Sequence, residues 1–443
     1  MIWLYSFPLN LDVITSRKYA RSTPAWPRSN GSCASLHCFT LLVIALLSLT
    51  PPAHAIPVSP SSNNTPIRLN HVQFKATHNS YHREQPLLSR PFFKLLLPSP
   101  QNYYYSHASL TDQLSAQSVR SFELDLHADY AAPGQYSNPL IARLAELPAP
   151  PQRWTETMRQ PGAKVLHVPD ADVFSSCASL AACLAELRAW SEAHAAHVPL
   201  VIDLEFKQPD ERMARLGGTK GENWTTATLE AVDAEIRASL APAQLLTPDD
   251  LRLRPDAVRR NLTLEQSVLQ LGWPELRDCR GKVLFVMDND PEPGSVRDAY
   301  RAGGHANLDG RVVFTNSVPG EPDAAFVKRN DPRGKANRAE IQDLVRRGYL
   351  VRTRADEPLD TVLTGDVRRR EEAWASGAQI VSTDWPAVGM AARYDSDYVV
   401  ELPGGGTVRC NPVNAPKGCV DAELEKLWLP DVITKAPAQN PMV

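Results

Sequence analysis

The chain has 443 residues, with 47 Lys and Arg against 50 Asp and Glu, for a formal charge of −3 at pH 7. That balance leaves no basic surplus to hold a nucleic acid. With 43% hydrophobic and 22% charged residues the composition excludes wholesale disorder, and the 38 prolines imply long, stiff connections between elements.

The first feature along the chain is an apolar run, Cys38 to Leu49, followed by the small-x-small triplet Ala53-His54-Ala55 and preceded by Arg17, Lys18, Arg21 and Arg28. This reads as a secretory signal over residues 1–55, so the mature chain is expected outside the cytoplasm. The run is shorter than the roughly 20 residues of a membrane-spanning helix, and no later stretch matches one. Export favours disulfides, and the close pairs Cys177/Cys183 and Cys410/Cys419 are the expected ones, with Cys279 left as a buried thiol.

From residue 56 onward one unit recurs, an apolar β-rich run that ends in polar residues and leads through a loop to a helical pattern. The runs are Leu69–Ala76, Arg120–Leu126, Ala163–Val168, Val198–Phe206, Lys282–Met287, Arg311–Thr315, Leu350–Thr353 and Ala378–Ser382. Helical patterns lie between them at Leu110–Val119, Ala178–Ala196, Thr225–Leu240, Ala339–Arg347 and Val367–Ala375. Eight such repeats predict an α/β protein of the (β/α)8 TIM-barrel class over residues 56–390. Long loop insertions are expected at 83–106, 127–162, 208–223 and 241–261, with a C-terminal extension over 391–443 packed on the barrel.

A barrel of this kind carries its chemistry at the C-terminal ends of its strands. There the chain places His78-Asn79-Ser80, Glu123-Leu124-Asp125, His167, Asp203-Leu204-Glu205-Phe206-Lys207, Arg354, and Thr383-Asp384-Trp385. Residues two apart on a strand share a face, so Glu123 points with Asp125, and Asp203 points with Glu205 and Lys207. If that face is the barrel mouth, Asn79, Glu123, Asp125 and Glu205 converge as an all-oxygen set. Such a set suits Ca2+ or Mg2+ rather than Zn2+. His78 and His167 would flank the ion.

In this order, the motifs Thr77–His82, Phe122–Asp125, Val165–Asp170 and Gly377–Pro386 resemble the Ca2+-dependent phosphatidylinositol phospholipase C branch of the phospholipase C-like phosphodiesterases. The resemblance runs from about Ile67 to Pro386. It implies that Asn79, Glu123, Asp125 and Glu205 bind Ca2+, and that His78, His167 and Glu123 are catalytic. His78 would stabilise charge on the phosphoryl oxygens, His167 would protonate the leaving diacylglycerol oxygen, and Glu123 or another carboxylate on the ion would accept the inositol hydroxyl proton. Lys207, Arg354, Asp384 and Trp385 are the substrate-binding expectations. The implied partner is a phospholipid at a membrane surface, and the first product a cyclic inositol phosphate.

Two other functions compete. A glycerophosphodiester phosphodiesterase shares the barrel and the Glu-x-Asp pair, but it would carry His-Arg-Gly where this chain has His78-Asn79-Ser80. A secreted lipid-binding barrel without turnover would not need both histidines. Within the insertion 86–105, Phe92, Phe93, Leu95–Leu97 and Tyr103–Tyr105 are expected to pack as a lid or face the lipid, and the composition leans towards the lipid.

Overall fold

A computed structural model describes residues 65–145 and 152–425, all within one compact unit. The expected signal, residues 1–55, lies outside the described residues. Ten strands run in chain order: β1 (Val72–Thr77), β2 (Val119–His127), β3 (Lys164–Val165), β4 (Leu200–Phe206), β5 (Val283–Met287), β6 (Val313–Thr315), β7 (Phe326–Lys328), β8 (Leu350–Arg354), β9 (Ile380–Thr383) and β10 (Val408–Cys410).

Eight of them form one parallel sheet in the order β6-β5-β4-β2-β1-β9-β8-β7. A parallel bridge between Asn316 and Phe326 joins the two outer strands, and Asn316 Oδ1 accepts from the Lys328 backbone N–H at 3.0 Å. The sheet thereby curls into the expected barrel. Helices at Leu110–Ala116, Leu180–Ala193, Thr226–Ser239, Gly334–Arg347 and Arg368–Ser376 connect and cover the strands. Several start at a side-chain cap: Ser109, Ser179 and Thr225 accept from the backbone N–H three residues on. Gly377, at φ +77°, ends the last of these helices in the left-handed region and turns the chain into β9.

Two strands depart from the expected repeat. The run Ala163–Val168 is not the third barrel stave, because β3 pairs antiparallel with the end of β2 through Leu126↔Val165 and His127↔Lys164. Its residues are β-forming, but the long connection from β2, with short helices at Leu140–Leu144 and Gln152–Arg159, brings it back antiparallel beside the end of β2 instead of one stave further on. The missing stave is β7, three residues long and joined to β6 without a helix.

Beyond residue 391, β10 pairs antiparallel with β1 through Val72↔Cys410 and Phe74↔Val408, and Glu425 pairs with Arg120 at 2.8 Å. Disulfides join Cys177 to Cys183 and Cys410 to Cys419, and Cys279 is a buried free thiol. Among the described residues no helix is long and apolar enough to cross a membrane.

Candidate active site

The barrel register decides which face of each strand points inward. Between β2 and β4, Glu123 stands beside Asp203 and Asp125 beside Glu205. These carboxylates face the barrel interior, while Phe206 turns outward and meets the Trp224 ring edge-on at 5.0 Å. Two polar layers result.

The deeper layer is centred on Arg352 of β8. Its guanidinium pairs with Glu123 Oε2, with Asp203 Oδ2 at 3.0 Å and with Asp288 Oδ1 at 2.9 Å. Glu123, Asp203 and Asp288 are close enough to suggest a metal cage. The guanidinium already sits among them, however, so the cluster is an ion-pair network. Lys328 adds a second cation, 2.8 Å from Asp288 Oδ2. Burial, the largest effect, and the charge of Asp288 together push the Asp203 carboxyl well above its usual range, against the pull of Arg352.

The upper layer lies at the C-terminal ends of the strands. His78 follows β1, with Nδ1 2.7 Å from Asp384 Oδ1 and Nε2 3.4 Å from Glu123 Oε1. Arg354 completes the group, with Nη2 2.7 Å from Asp384 Oδ2 and Nη1 3.3 Å from His78 Nε2. Burial and Arg354 lower the His78 pKa, but Glu123 and Asp384 outweigh them and the net shift is upward. Asp384 is held below the usual carboxylate range; burial opposes this, and His78 and Arg354 overcome it.

Asn79 adopts φ +46°, a left-handed conformation that asparagine tolerates better than most residues. The turn is fastened by Ser80, whose N–H donates to the Glu123 carbonyl at 3.0 Å and whose Oγ accepts from the Glu123 N–H at 2.8 Å. The His-Asn motif is thus hooked to the Glu-x-Asp motif by backbone bonds.

One carboxylate oxygen each from Glu123, Asp125 and Glu205 lies within 4.8 Å of the others. Buried Asn79 Oδ1 and Asp125 Oδ1 have no hydrogen-bond partner among the described residues. Unsatisfied buried oxygens beside clustered carboxylates fit a hard divalent cation, and the donor set is oxygen only. Lys207 reaches the same cluster, 3.0 Å from Asp125 Oδ2 and 2.7 Å from Glu205 Oε2. Asp125 is pushed up to about 8, first by burial and then by Glu205 and Glu123, with Lys207 opposing.

His167 lies beyond β3, its Nδ1 3.0 Å from Asp172 Oδ2. The short antiparallel β3, rather than a barrel stave, is what carries this histidine to the mouth. Of the expected substrate-binding residues, Lys207, Arg354 and Asp384 come together at the mouth. Trp385 does not join them: it is 1% exposed and packs against Tyr105 and Tyr394, with ring centroids 5.9 and 6.0 Å away. It forms the wall behind Asp384. Sequence reasoning passed over Arg352 and Asp172. Arg352 stands two residues before Arg354 on the same strand face, a spacing that could have revealed it.

The sequence matches the family described as phosphoinositide phospholipase C, Ca2+-dependent, over residues 67–412. No curated protein matches. Among solved structures, a calcium-dependent phosphoinositol-specific phospholipase C from Pseudomonas sp, in a myoinositol complex, is 17% identical, with a TM-score of 0.46, covering 78% of this chain and 96% of its own. A Ca2+-dependent phosphatidylinositol-specific phospholipase C from Streptomyces antibioticus is 18% identical, with a TM-score of 0.44, covering 72% and 95%. The phosphatidylinositol-specific phospholipase C from Listeria monocytogenes is 11% identical, with a TM-score of 0.40, covering 75% and 94%. With the family match spanning most of its length and the motifs gathered at one barrel mouth, the chain belongs to the Ca2+-dependent phosphoinositide phospholipase C family and is an enzyme of the phosphodiesterase class.

Proposed function

We propose that this enzyme cleaves phosphatidylinositol outside the cytoplasm, releasing diacylglycerol and an inositol cyclic phosphate. The observation that carries this reading is the meeting of His78, its anchor Asp384, and the cluster of Glu123, Asp125 and Glu205 at one end of the barrel. The two disulfides accord with an exported protein.

Asn79, Glu123, Asp125 and Glu205 are the residues to hold Ca2+. When bound, Ca2+ neutralises phosphoryl charge and lowers the pKa of the attacking hydroxyl. The inositol 2-hydroxyl oxygen bonds to phosphorus as the bond from phosphorus to the diacylglycerol oxygen breaks. The hydroxyl proton has two candidate acceptors. Glu123 has Oε2 committed to Arg352, and its Oε1 already faces His78 Nε2 at 3.4 Å. His78 is the better placed: Asp384 accepts from Nδ1–H, so Nε2 carries the lone pair that takes the proton. We therefore assign the proton to His78 with Glu123 beside it, whereas the resemblance alone gave it to Glu123 or another carboxylate on the ion. Arg354 and Lys207 lie where they can meet phosphoryl or inositol oxygens, and Asp384 acts through His78. His167 delivers a proton from Nε2 to the leaving oxygen.

The test is release of water-soluble inositol phosphate from phosphatidylinositol vesicles, with Ca2+ and with chelator, beside His78→Ala and His167→Ala. Ca2+-dependent release that collapses at least about 100-fold in both variants supports the reading. Cleavage of glycerophosphodiesters in place of phosphatidylinositol would move the substrate assignment and leave the fold standing.

A further inference from the structure

His167 does not stand alone at the mouth. Asp172 is 1% exposed, and its carboxylate is shared: Oδ2 lies 3.0 Å from His167 Nδ1 and 2.9 Å from His82 Nε2, and Oδ1 lies 3.1 Å from His82 Nε2. Gln85 Nε2 approaches Oδ1 at 3.4 Å. An ionised carboxylate only accepts, so both imidazoles turn a protonated nitrogen towards it. These donors, ahead of anything else nearby, keep Asp172 ionised despite its burial, below the usual carboxylate range.

The backbone makes this arrangement rigid. Val168 and Asp172 exchange two N–H···O bonds, at 3.1 and 2.9 Å. The strand end that carries His82 is stitched to the same segment, because Arg83 N–H donates to the Phe174 carbonyl at 3.1 Å and Ser176 N–H to the Tyr81 carbonyl at 2.8 Å. The His82 ring is buried against Tyr105, with centroids 4.6 Å apart, whereas His167 retains some exposure, beside the Tyr103 ring. Only one imidazole of the pair can reach a substrate.

We propose that Asp172 is the positioning residue for His167, and that His82 holds Asp172 in place. With Nδ1–H committed to Asp172, Nε2 is left as the atom that gives up a proton and takes it back. His82 supplies the second donor that keeps the carboxylate charged and unable to rotate. Neither Asp172 nor His82 touches substrate. The inference rests on the assignment of His167 as the group that protonates the leaving oxygen.

The experiment compares two substrates in the full-length protein with Ca2+: phosphatidylinositol in mixed micelles, and water-soluble myo-inositol 1-(4-nitrophenyl phosphate). The diacylglycerol alkoxide must be protonated to leave, whereas 4-nitrophenolate leaves without help. Asp172→Asn is expected to lower kcat on the lipid by about 100-fold or more, with little change in KM, and to cost less than about tenfold on the nitrophenyl ester. His82→Gln keeps a donor towards Asp172 and should show the same bias at about tenfold on the lipid. Equal losses on both substrates in Asp172→Asn would make Asp172 a structural anchor and overturn the proposal. If Asp172→Asn does not fold, His82→Gln decides in the same way. His167→Ala separates the two ideas: an unbiased loss there sinks the leaving-group assignment itself, whereas bias in His167→Ala without bias in Asp172→Asn sinks only the positioning role.

Discussion

Asp384 Oδ1 lies 2.7 Å from His78 Nδ1, although 306 positions separate the two residues along the chain. The contact exists because β9 lies beside β1 in the sheet, with Thr77 paired to Thr383. Asp384 is itself aimed by Asp356, whose Oδ1 accepts from the Asp384 N–H at 3.2 Å. Replacing Asp384 by Asn keeps the shape but removes the charge that both His78 and Arg354 use. The expected result is a fall in kcat of about 10- to 100-fold on phosphatidylinositol micelles, with KM changed less. A kcat within twofold of the parent enzyme would mean that His78 does not depend on this anchor.

Arg352 links the barrel interior to the site, since it pairs with Glu123, Asp203 and Asp288 at once. Arg352→Met removes the guanidinium from three buried carboxylates, of which Asp288 alone keeps a second cation, Lys328. Removing one partner of a buried ion pair costs about 3–5 kcal/mol, and here three pairs are lost together. We expect the variant to unfold at clearly lower urea concentration than the parent, or to be recovered only as aggregate. An unchanged midpoint would show that the carboxylates take up protons and no longer need the guanidinium.

The sequence reveals the site better than it reveals the barrel, for a physical reason. His78, Glu123, Asp125, Glu205 and Asp384 stand at strand ends or on one strand face, where a period of two and the run of apolar residues mark them. The face question closes on Phe206: its ring packs on Trp224 outside the barrel, so Glu205 must point in. Seven of the eight expected staves coincide with barrel strands. The eighth, Ala163–Val168, has the right composition, but strand direction leaves no trace in composition. The true eighth, Phe326–Lys328, is too short to show a period, and no crossover helix precedes it after β6. Asp172 escaped because its partner His82 comes from another loop, and no local spacing encodes that meeting.

His107 offers a pH test of stability. Its Nε2 donates to the His78 carbonyl at 2.9 Å, and burial, the dominant cause, lowers its pKa to about 4. In the unfolded chain the imidazole takes its proton near 6.5. Between these values the unfolded state binds a proton that the native state refuses, so stability is full above about 6.5 and falls as pH drops towards 4. At about 1.4 kcal/mol per pKa unit, this one group costs on the order of 3 kcal/mol by the acid end of that window. His107→Gln can still donate to the same carbonyl but does not titrate. Urea midpoints at pH 7 and pH 4.5 should therefore fall less steeply in the variant, by about 2 kcal/mol. His71, lowered to about 4 mainly by burial, titrates in the same direction in both proteins and cancels from the difference. Parallel stability curves would show that His107 takes up its proton at the same pH folded and unfolded.

If the enzyme works at a bilayer as proposed, the insertion after β1 is the segment expected to meet it. Leu87, Leu88 and Leu95 are 71, 72 and 78% exposed, while Phe93 of the same insertion is buried and meets the Tyr103 ring edge-on at 5.8 Å. Tyr103 in turn lies 5.1 Å from the His167 ring, so the exposed leucines stand on a packed base that ends at the site. Val388, in the segment after β9, is 77% exposed, and that segment is tied to the insertion where Tyr394 Oη–H donates to the Tyr104 carbonyl at 2.8 Å. A leucine taken from water into an apolar phase gains about 1.5–3 kcal/mol, so even partial insertion of three would dominate binding to vesicles. Leu87→Ser, Leu88→Ser and Leu95→Ser together should lower cleavage of phosphatidylinositol in vesicles, and sedimentation with those vesicles, by tenfold or more. Cleavage of a water-soluble inositol phosphodiester should stay within twofold, and thermal stability should hold, because these side chains support nothing beneath them. Unchanged vesicle cleavage would place the lipid contact elsewhere on the rim, whereas a loss on both substrates would make the insertion part of the site's framework rather than its membrane edge.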